Sequence, residues 1–237
     1  MPANLYLQPA GDCCSTGHKT PTLTLPRPMN PPVLDLRELA AVRGGRRLFA
    51  GVSAAVPAGG LLRVQGANGA GKTTLLRMLC GLVAPAAGEV RWRGQPLRAL
   101  GEDYHRELVY IGHAAALKDE LTPLENLQAA TALGGGTVTP REAAAALAAA
   151  GLKGREQLPA RVLSQGQRKR VALARLALPA PPGLWVLDEP FNALDVGAVD
   201  WLLGLVRARL AAGGVVVLTS HQSVALDDAA QQQVLAL

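Results

Sequence analysis

The stretch Gly66-Ala67-Asn68-Gly69-Ala70-Gly71-Lys72-Thr73 decides the fold of this chain. It matches the pattern G-x-x-x-x-G-K-[ST] at every fixed position, and it lies between the strand-like residues 61–64 and the helix-like residues 74–79. Glycines let backbone N–H groups approach phosphate oxygens that a Cβ would keep away, and the following helix adds the positive end of its dipole. The stretch therefore predicts a phosphate-binding loop between a strand and a helix.

The predicted loop assigns roles to its residues. Lys72 is expected to reach the β- and γ-phosphates of a nucleotide, and Thr73 is expected to place its hydroxyl on Mg²⁺. Further nucleotide contacts are expected from the rest of the loop and the start of the helix: Gly66, Ala67, Asn68, Gly69, Ala70, Gly71 and Thr74. The alternative, an ordinary glycine-rich turn, is disfavoured because the strand and helix context is also present.

A second segment, residues 184–189, is a short apolar run that ends in the carboxylates Asp188 and Glu189. Such a run is typical of a strand buried on both faces of a parallel sheet, and ligands bind at the carboxyl ends of such strands. Asp188 is therefore predicted to hold Mg²⁺, and Glu189 to polarise the attacking water as a general base. Two solvated carboxylates at a strand end would be an equal alternative if the phosphate loop were absent.

A third segment, Ser164-Gln165-Gly166-Gln167, precedes the helical stretch 168–178. A hydroxyl and bare N–H groups at a helix N-terminus form a second anion site. Because one chain has one phosphate loop, the second anion site suggests contact with the γ-phosphate held by another copy.

These segments resemble the motifs of ATP-binding-cassette (ABC) ATPases. Residues 164–167 resemble the signature loop, residues 191–195 the D-loop, and Thr219-Ser220-His221 the switch histidine. The resemblance implies a head-to-tail homodimer that sandwiches two MgATP. It also implies that Ser164 and Gly166 contact ATP from the partner copy, that Asp195 couples the two sites, and that His221 senses the γ-phosphate beside Lys72 and Glu189.

Several stretches resemble one branch of that family, the ATP-binding subunits of cytochrome c maturation haem exporters. They are residues 104–105, 110–113, 117–127, 166–176 and 188–191, within a similarity that runs from 33 to 237. This implies an ATP-hydrolysing subunit docked on integral-membrane subunits at the cytoplasmic face of the bacterial inner membrane. Two alternatives stay open: an ATPase that frees a haem-carrying chaperone from a membrane complex, and a soluble ABC ATPase, which would usually show a paired cassette or a coiled-coil insertion.

Two positions depart from the family pattern. His113 stands where most relatives carry a glutamine that contacts Mg²⁺ and the attacking water. A neutral imidazole can bond a water or a metal, while a structural hydrogen-bonding role is the simpler interpretation. Arg43 stands where many relatives carry an aromatic residue that stacks on adenine. Its guanidinium can stack instead, or it can be a solvated loop arginine.

The pattern of the chain predicts an α/β P-loop NTPase with a RecA-like parallel core, built as one ABC ATPase domain over residues 33–237. Parallel strands are expected at 61–65, 108–112, 184–188 and 215–219, and an antiparallel β subdomain at 33–64 and 88–98. Residues 113–162 are expected to form an inserted helical subdomain, in which Thr122-Pro123-Leu124-Glu125 and Thr139-Pro140-Arg141-Glu142 each start a helix.

Composition sets further limits. With 49% apolar residues among 237, the chain can bury the core of one such domain. No run of about 18 apolar residues occurs, so no direct membrane span is expected. The net charge is +6, but the basic residues are dispersed and are not interleaved with aromatics. Nucleic-acid binding is therefore not expected, and the densest basic cluster, Arg168-Lys169-Arg170, is interpreted as close to phosphate or as a solvated face.

The three cysteines predict no disulfide framework, which fits a reducing cytoplasm. Cys13, Cys14 and His18 match no standard zinc spacing. Residues 1–32 are rich in proline and are predicted to be a disordered tail, not a signal peptide. Met29, just before the first strand-like segment, is an alternative start.

Overall fold

The structure is a computed structural model, and it describes residues 32–179, 183–220 and 231–237. The predicted tail, Met29 and the predicted switch residue His221 lie outside these residues, apart from residue 32 of the tail. The described residues form an antiparallel sheet, a parallel sheet and a group of helices, which confirms the predicted α/β fold class.

The antiparallel sheet has the strand order β2-β1-β4-β5. Its strands are β1 (Leu34–Arg43), β2 (Arg46–Val56), β4 (Ala87–Trp92) and β5 (Gln95–Pro96). The pairing of β1 with β4 shifts register between Arg37 and Ala40, where Gly88 packs against the irregular backbone. Gly88 has a φ of 80°, and a Cβ there would lie 2.2 Å from the Arg37 carbonyl oxygen. Glycine is therefore required at this position.

The parallel sheet has the strand order β6-β7-β8-β3-β9. Its strands are β3 (Leu61–Gln65), β6 (Leu108–Ile111), β7 (Leu184–Leu187), β8 (Val215–Thr219) and β9 (Gln232–Ala236). The four predicted parallel strands are confirmed. The fifth, β9, was not predicted, because its glutamines and half-exposed residues do not give the continuous apolar pattern of a buried strand.

Alternate residues of the central strands enter two different cores. Leu62, Val186 and Val217 pack towards the antiparallel sheet and the helix α1 (Lys72–Leu79). Leu61, Trp185 and Val216 pack on the other face with helix α7 (Val196–Ala211). Because both faces are covered, these strands are apolar at nearly every position, which is the pattern that the sequence displayed.

The remaining helices lie between β4 and β7 in the chain. Two short helices, α2 (Leu97–Leu100) and α3 (Glu102–Arg106), precede β6. Helices α4 (Pro123–Leu133) and α5 (Pro140–Ala149) follow it, and both begin with the predicted capping boxes. A 3-10 turn at Ala160–Val162 leads into α6 (Gln165–Ala174), and a second one covers Arg175–Ala177.

Helix α6 joins the helical group to the parallel sheet. Its Val171 and Ala174 belong to a third core together with Leu127 of α4 and Leu147 of α5. Its Ala172 and Leu173 belong to the core beneath α7. A displacement of α6 would therefore change the packing of both the helical group and the parallel sheet. The helix begins three residues earlier than the predicted helical stretch, at the residue directly after Ser164. Within the described parts of the chain, no helix has the length and apolarity that a bilayer crossing requires.

Candidate active site

The predicted phosphate-binding loop lies between β3 and α1. Gly71, the N-cap of α1, has a φ of 107°, and a Cβ there would lie 2.9 Å from Cδ1 of Phe49. A glycine is thus needed both for the backbone conformation and for the approach of β2. The Nζ of Lys72 donates to the carbonyl oxygens of Gly66 at 2.8 Å and of Ala67 at 3.3 Å, so the ammonium lies over the loop.

Asp188 lies at the end of β7 with both carboxylate oxygens hydrogen-bonded. Its Oδ2 accepts from the Thr73 hydroxyl at 2.9 Å, and its Oδ1 accepts from the Thr219 hydroxyl at 2.8 Å. The residue is only 2% exposed. Burial of a carboxylate requires such donors, and here they orient it towards the start of α1.

Glu189 follows Asp188 and is also buried, at 7% exposure. Its backbone has a φ of 48°, in the left-handed region that residues other than glycine rarely adopt. Its N–H donates to the Thr219 hydroxyl at 2.8 Å. The Thr219 side chain therefore contacts both acidic residues, through the carboxylate of Asp188 and the backbone N–H of Glu189.

One cavity of about 490 Å³ brings the predicted groups together. It is lined by loop and helix residues, by both carboxylates and by the two residues that depart from the family pattern: Asn68, Gly69, Gly71, Lys72, Thr73, Thr74, Asp188, Glu189, Arg43 and His113. Leu48 and Asn192 complete the lining. Ala67 and Ala70 line a smaller neighbouring cavity with Arg46 and Arg47. The cavity thus brings cationic, hydroxyl and carboxylate groups together.

The residues of this cavity fit a magnesium nucleotide. The Thr73 hydroxyl and the Asp188 carboxylate are adjacent oxygen ligands of the kind that Mg²⁺ prefers. Among the described residues, no group of three or more His, Cys, Asp or Glu residues is arranged to hold a metal. A magnesium ion there would take its other ligands from phosphate oxygens and water, which is usual for an ion bound with a nucleotide.

Three other predicted site residues lie away from this cavity. Ser164 caps α6: its hydroxyl accepts from the Gln167 N–H at 3.3 Å, and its own N–H donates to the Gln167 side chain at 3.0 Å. A Cβ on Gly166 would lie 2.6 Å from the Ala193 carbonyl oxygen, so the signature segment touches the segment after Glu189. Asp195 caps α7 through the Ala198 N–H and lies 3.8 Å from Arg170 of α6.

The environment of the basic cluster Arg168-Lys169-Arg170 on α6 differs from the one predicted. The predicted solvated face is wrong, because Lys169 is buried and Arg168 and Arg170 are half-buried, whereas closeness to phosphate stays a prediction. Arg168 pairs with Asp119 at 2.6 Å, and Arg170 pairs with Asp195. Lys169 is buried, and burial lowers the pKa of its ammonium while the charges of Asp188 and Glu189 raise it. Consecutive residues of a helix point in different directions, so these three neighbours in sequence lie in three different environments.

Thr219 is a site residue that the sequence did not assign. Its buried hydroxyl donates to the Asp188 carboxylate and accepts from the backbone N–H of Glu189. The available signal was weak: a hydroxyl at the end of an apolar strand that neighbours another strand ending in carboxylates. The negative charge of this region also reaches Tyr110, whose pKa is raised by burial and then by Asp188.

Comparison with known proteins gives a consistent family. The ABC transporter family matches residues 49–192. A curated protein of Nitrosospira multiformis named "Cytochrome c biogenesis ATP-binding export protein CcmA" is 52% identical over 202 residues, which are 85% of this chain and 98% of that protein.

Solved structures show the same fold. An ATP-binding subunit of an ABC transporter aligns with a TM-score of 0.69 at 28% identity, over 80% of this chain and 79% of that chain. A dimeric post-hydrolysis ATP-binding cassette bound to ADP and Pi aligns with a TM-score of 0.70 at 24% identity, over 80% and 88%.

Proposed function

This chain belongs to the ABC transporter family, and we propose that it is the ATP-hydrolysing subunit of the haem exporter of cytochrome c biogenesis. One observation carries the chemistry: Lys72, Thr73, Asp188 and Glu189 line a single cavity. The name of the relative from Nitrosospira multiformis supports export in cytochrome c biogenesis, and the alignment covers 98% of that relative. Haem as the cargo comes from the family resemblance.

Lys72 and the loop bind the phosphates of ATP. The Lys72 ammonium donates to two neutral carbonyls of its own loop, and phosphate oxygens are stronger, charged acceptors. We expect the side chain to exchange these carbonyls for the β- and γ-phosphates. Mg²⁺, held by the Thr73 hydroxyl and the Asp188 carboxylate, would neutralise charge on the phosphoryl oxygens.

Glu189 acts as the general base. It would hold the attacking water and accept its proton as the water oxygen bonds to the γ-phosphorus and the bond from that phosphorus to the β–γ bridging oxygen breaks, with ADP as the leaving group. His113 lines the same cavity, where its imidazole can orient that water. His221 would sense the γ-phosphate, a role taken from the family resemblance because this residue lies outside the described ranges.

A second copy completes the site. Ser164 and Gly166 lie at the exposed N-terminus of α6, outside the cavity that holds Lys72. Such an N-terminus suits an anion, and in a head-to-tail dimer it would meet the γ-phosphate bound by the partner. Asp195, linked to α6 through Arg170, would couple the two sites.

The dimer works with integral-membrane subunits. ATP-driven closure and hydrolytic opening would move these subunits, and the chain would lie peripherally at the cytoplasmic face of the bacterial inner membrane. The relative is named an export protein, which favours transport over a release ATPase or a soluble ABC ATPase.

The decisive variant is Glu189→Gln. The amide keeps the shape of the side chain but cannot accept the proton, so we expect ATP binding to persist while kcat falls by at least about 100-fold. Hydrolysis is measured by phosphate release, and binding by titration with a fluorescent ATP analogue. Glu102→Gln, on an exposed face of α3, is the matched control and should hydrolyse ATP normally.

A near wild-type rate of ATP hydrolysis in Glu189→Gln would exclude Glu189 as the general base. If the wild-type protein neither binds nor hydrolyses ATP, the proposed function itself is wrong.

A further inference from the structure

Lys169 is a buried lysine on α6 that the mechanism above does not use. Its side chain is only 6% exposed. Its Nζ lies 3.4 Å from the carbonyl oxygen of Gly112 and 3.4 Å from that of Asp188. No carboxylate in the described parts of the chain lies within ion-pair distance of it. The ammonium therefore donates to backbone carbonyls, while the charges of Asp188 and Glu189 act on it from beyond ion-pair distance.

The two carbonyls belong to the ends of neighbouring strands. Gly112 follows β6 and precedes His113, while Asp188 follows β7 and precedes Glu189. The Asp188 N–H donates to the Ile111 carbonyl at 2.8 Å, so the strands are still paired at this point. The ammonium links the two strands one residue beyond this pairing. It bonds the carbonyl of the peptide before His113 and the carbonyl of the peptide before Glu189.

The peptide between Asp188 and Glu189 is held at both of its polar atoms. Its N–H donates to the Thr219 hydroxyl, and its carbonyl accepts from Lys169. This peptide sets the direction of the Glu189 side chain, since Glu189 has the unusual φ of 48°. Two opposing hydrogen bonds stop the peptide from rotating and so preserve that strained backbone.

Burying a charged group at this position costs free energy. Burial disfavours the ammonium, and an apolar side chain of the same length would fill the space without that cost. A cavity of about 600 Å³ is lined by Lys169 together with His113 and Glu189, so the charge acts where the catalytic carboxylate lies. Packing alone does not account for a lysine here.

We propose that Lys169 is a positioning residue for hydrolysis, which fixes the peptide before Glu189 and ties it to the segment carrying His113. The inference rests on the proposed function. Because α6 also presents Ser164 and Gly166, one helix would align the base for ATP in its own chain and the anion site for ATP in the partner. A shift of α6 on dimer closure would then reach Glu189 directly.

The first test separates positioning from binding and from folding. Lys169→Met keeps the length of the side chain and removes its charge. We expect kcat for ATP to fall about tenfold, KM to change less than about twofold, and the melting temperature to stay within a few degrees. Lys169→Arg keeps a charge that can reach both carbonyls and should recover most of the lost kcat. Lys153→Met removes an exposed lysine of the helical group as the matched control.

Three results would overturn the proposal: wild-type kcat in Lys169→Met, a loss that appears in KM with kcat unchanged, or an equal loss of kcat in Lys169→Arg. A melting temperature lowered by ten degrees or more in both variants would mark Lys169 as a structural residue and would also overturn it. Loss of ATP hydrolysis in the wild type and in Lys153→Met would instead implicate the proposed function.

The second test uses dimers of two differently tagged chains. Lys169 should act on the site of its own chain, like Lys72, whereas Ser164 should act on the site of the partner. Lys169→Met mixed with Ser164→Arg should therefore regain one intact composite site and recover activity. Lys169→Met mixed with Lys72→Ala should not recover, because both sites then carry a defect.

The reverse pattern, recovery with Lys72→Ala and not with Ser164→Arg, would place the effect of Lys169 in the partner's site and contradict the proposal. The pair Ser164→Arg with Lys72→Ala tests the dimer alone. If that pair fails to recover, the sites are strictly coupled or not shared, and the kinetic test above decides the role of Lys169.

Discussion

A single hydroxyl sets the relative position of the two acidic residues at the end of β7. The Thr219 Oγ1 accepts from the Glu189 N–H and donates to Asp188 Oδ1. It is fully buried, so water cannot replace it. The same atom therefore affects both the predicted metal ligand and the predicted general base.

Thr219→Val should lower both the folding stability and the turnover of the protein. Valine has the same shape but leaves the Glu189 N–H and Asp188 Oδ1 without this partner, which costs about 1–3 kcal/mol of folding free energy. We expect kcat to fall about tenfold or more, since the Glu189 backbone loses one of its two restraints. Urea unfolding and steady-state hydrolysis measure the two effects. Thr219→Ser, which keeps the hydroxyl, should stay near wild type, and normal turnover in Thr219→Val would contradict the assigned role.

Some site residues were predictable and others were not. Lys72, Thr73, Asp188 and Glu189 follow from local patterns, because the loop and the strand end each have a fixed spacing. Thr219 of β8 contacts the Asp188 carboxylate and the Glu189 N–H, and Lys169 of α6 contacts the Asp188 carbonyl, through contacts that only the folded sheet creates. A sequence pattern has no signal for a contact that depends on which strands become neighbours.

At the scale of single elements, the starts of α4 and α5 carry complete capping boxes. In α5 the Thr139 hydroxyl accepts from the Glu142 N–H at 3.2 Å, and the Glu142 carboxylate accepts from the Thr139 N–H at 2.9 Å. These interactions are local, so the sequence predicted both helix starts. It could not predict β9, because a polar strand is stabilised by pairing with β3 and not by its own residues.

The cap of α5 should make stability depend on pH. The backbone N–H of Thr139, and then its side chain, hold the pKa of Glu142 below its ordinary value. A lowered folded-state pKa gives stability that is present above the ordinary value and is lost as the pH falls through the lowered one. Glu142→Gln should therefore be less stable than wild type near neutral pH, with the difference shrinking as the pH falls below about 4.

The measurement is the free energy of unfolding in urea over that pH range. Glu120→Gln, in an exposed loop, is the matched control for loss of one carboxylate. A difference between Glu142→Gln and wild type that grows on acidification would contradict the assigned role of the cap.

For the whole molecule, association with a membrane should depend on other chains. No described helix is long and apolar enough to span a bilayer, and the proposed function places the chain against integral-membrane subunits. Expressed alone, it should remain in the supernatant or aggregate. Co-expressed with its membrane subunits, it should sediment with membranes and resist a high-salt wash, because salt screens exposed charges but not a packed apolar contact.

Immunoblots of membrane and supernatant fractions, with and without the partner subunits, measure this distribution. The basic surface offers a competing explanation, direct attraction to anionic lipid. Equal retention on membranes that lack the partner subunits, reversed by salt, would favour that explanation and contradict the proposal.

The position of β3 in the sheet also determines when, during synthesis, the chain can first bind nucleotide. This strand leads into the phosphate loop, yet its two neighbours are β8 and β9, from residues 215–219 and 232–236. The loop leaves the ribosome early, and the sheet that gives it its shape closes only after most of the chain has been translated. Such long-range pairing slows folding and leaves an unpaired strand exposed in the interval. Nucleotide binding would then have to wait until β8 and β9 have been synthesised, so ATP cannot guide the folding steps that precede them.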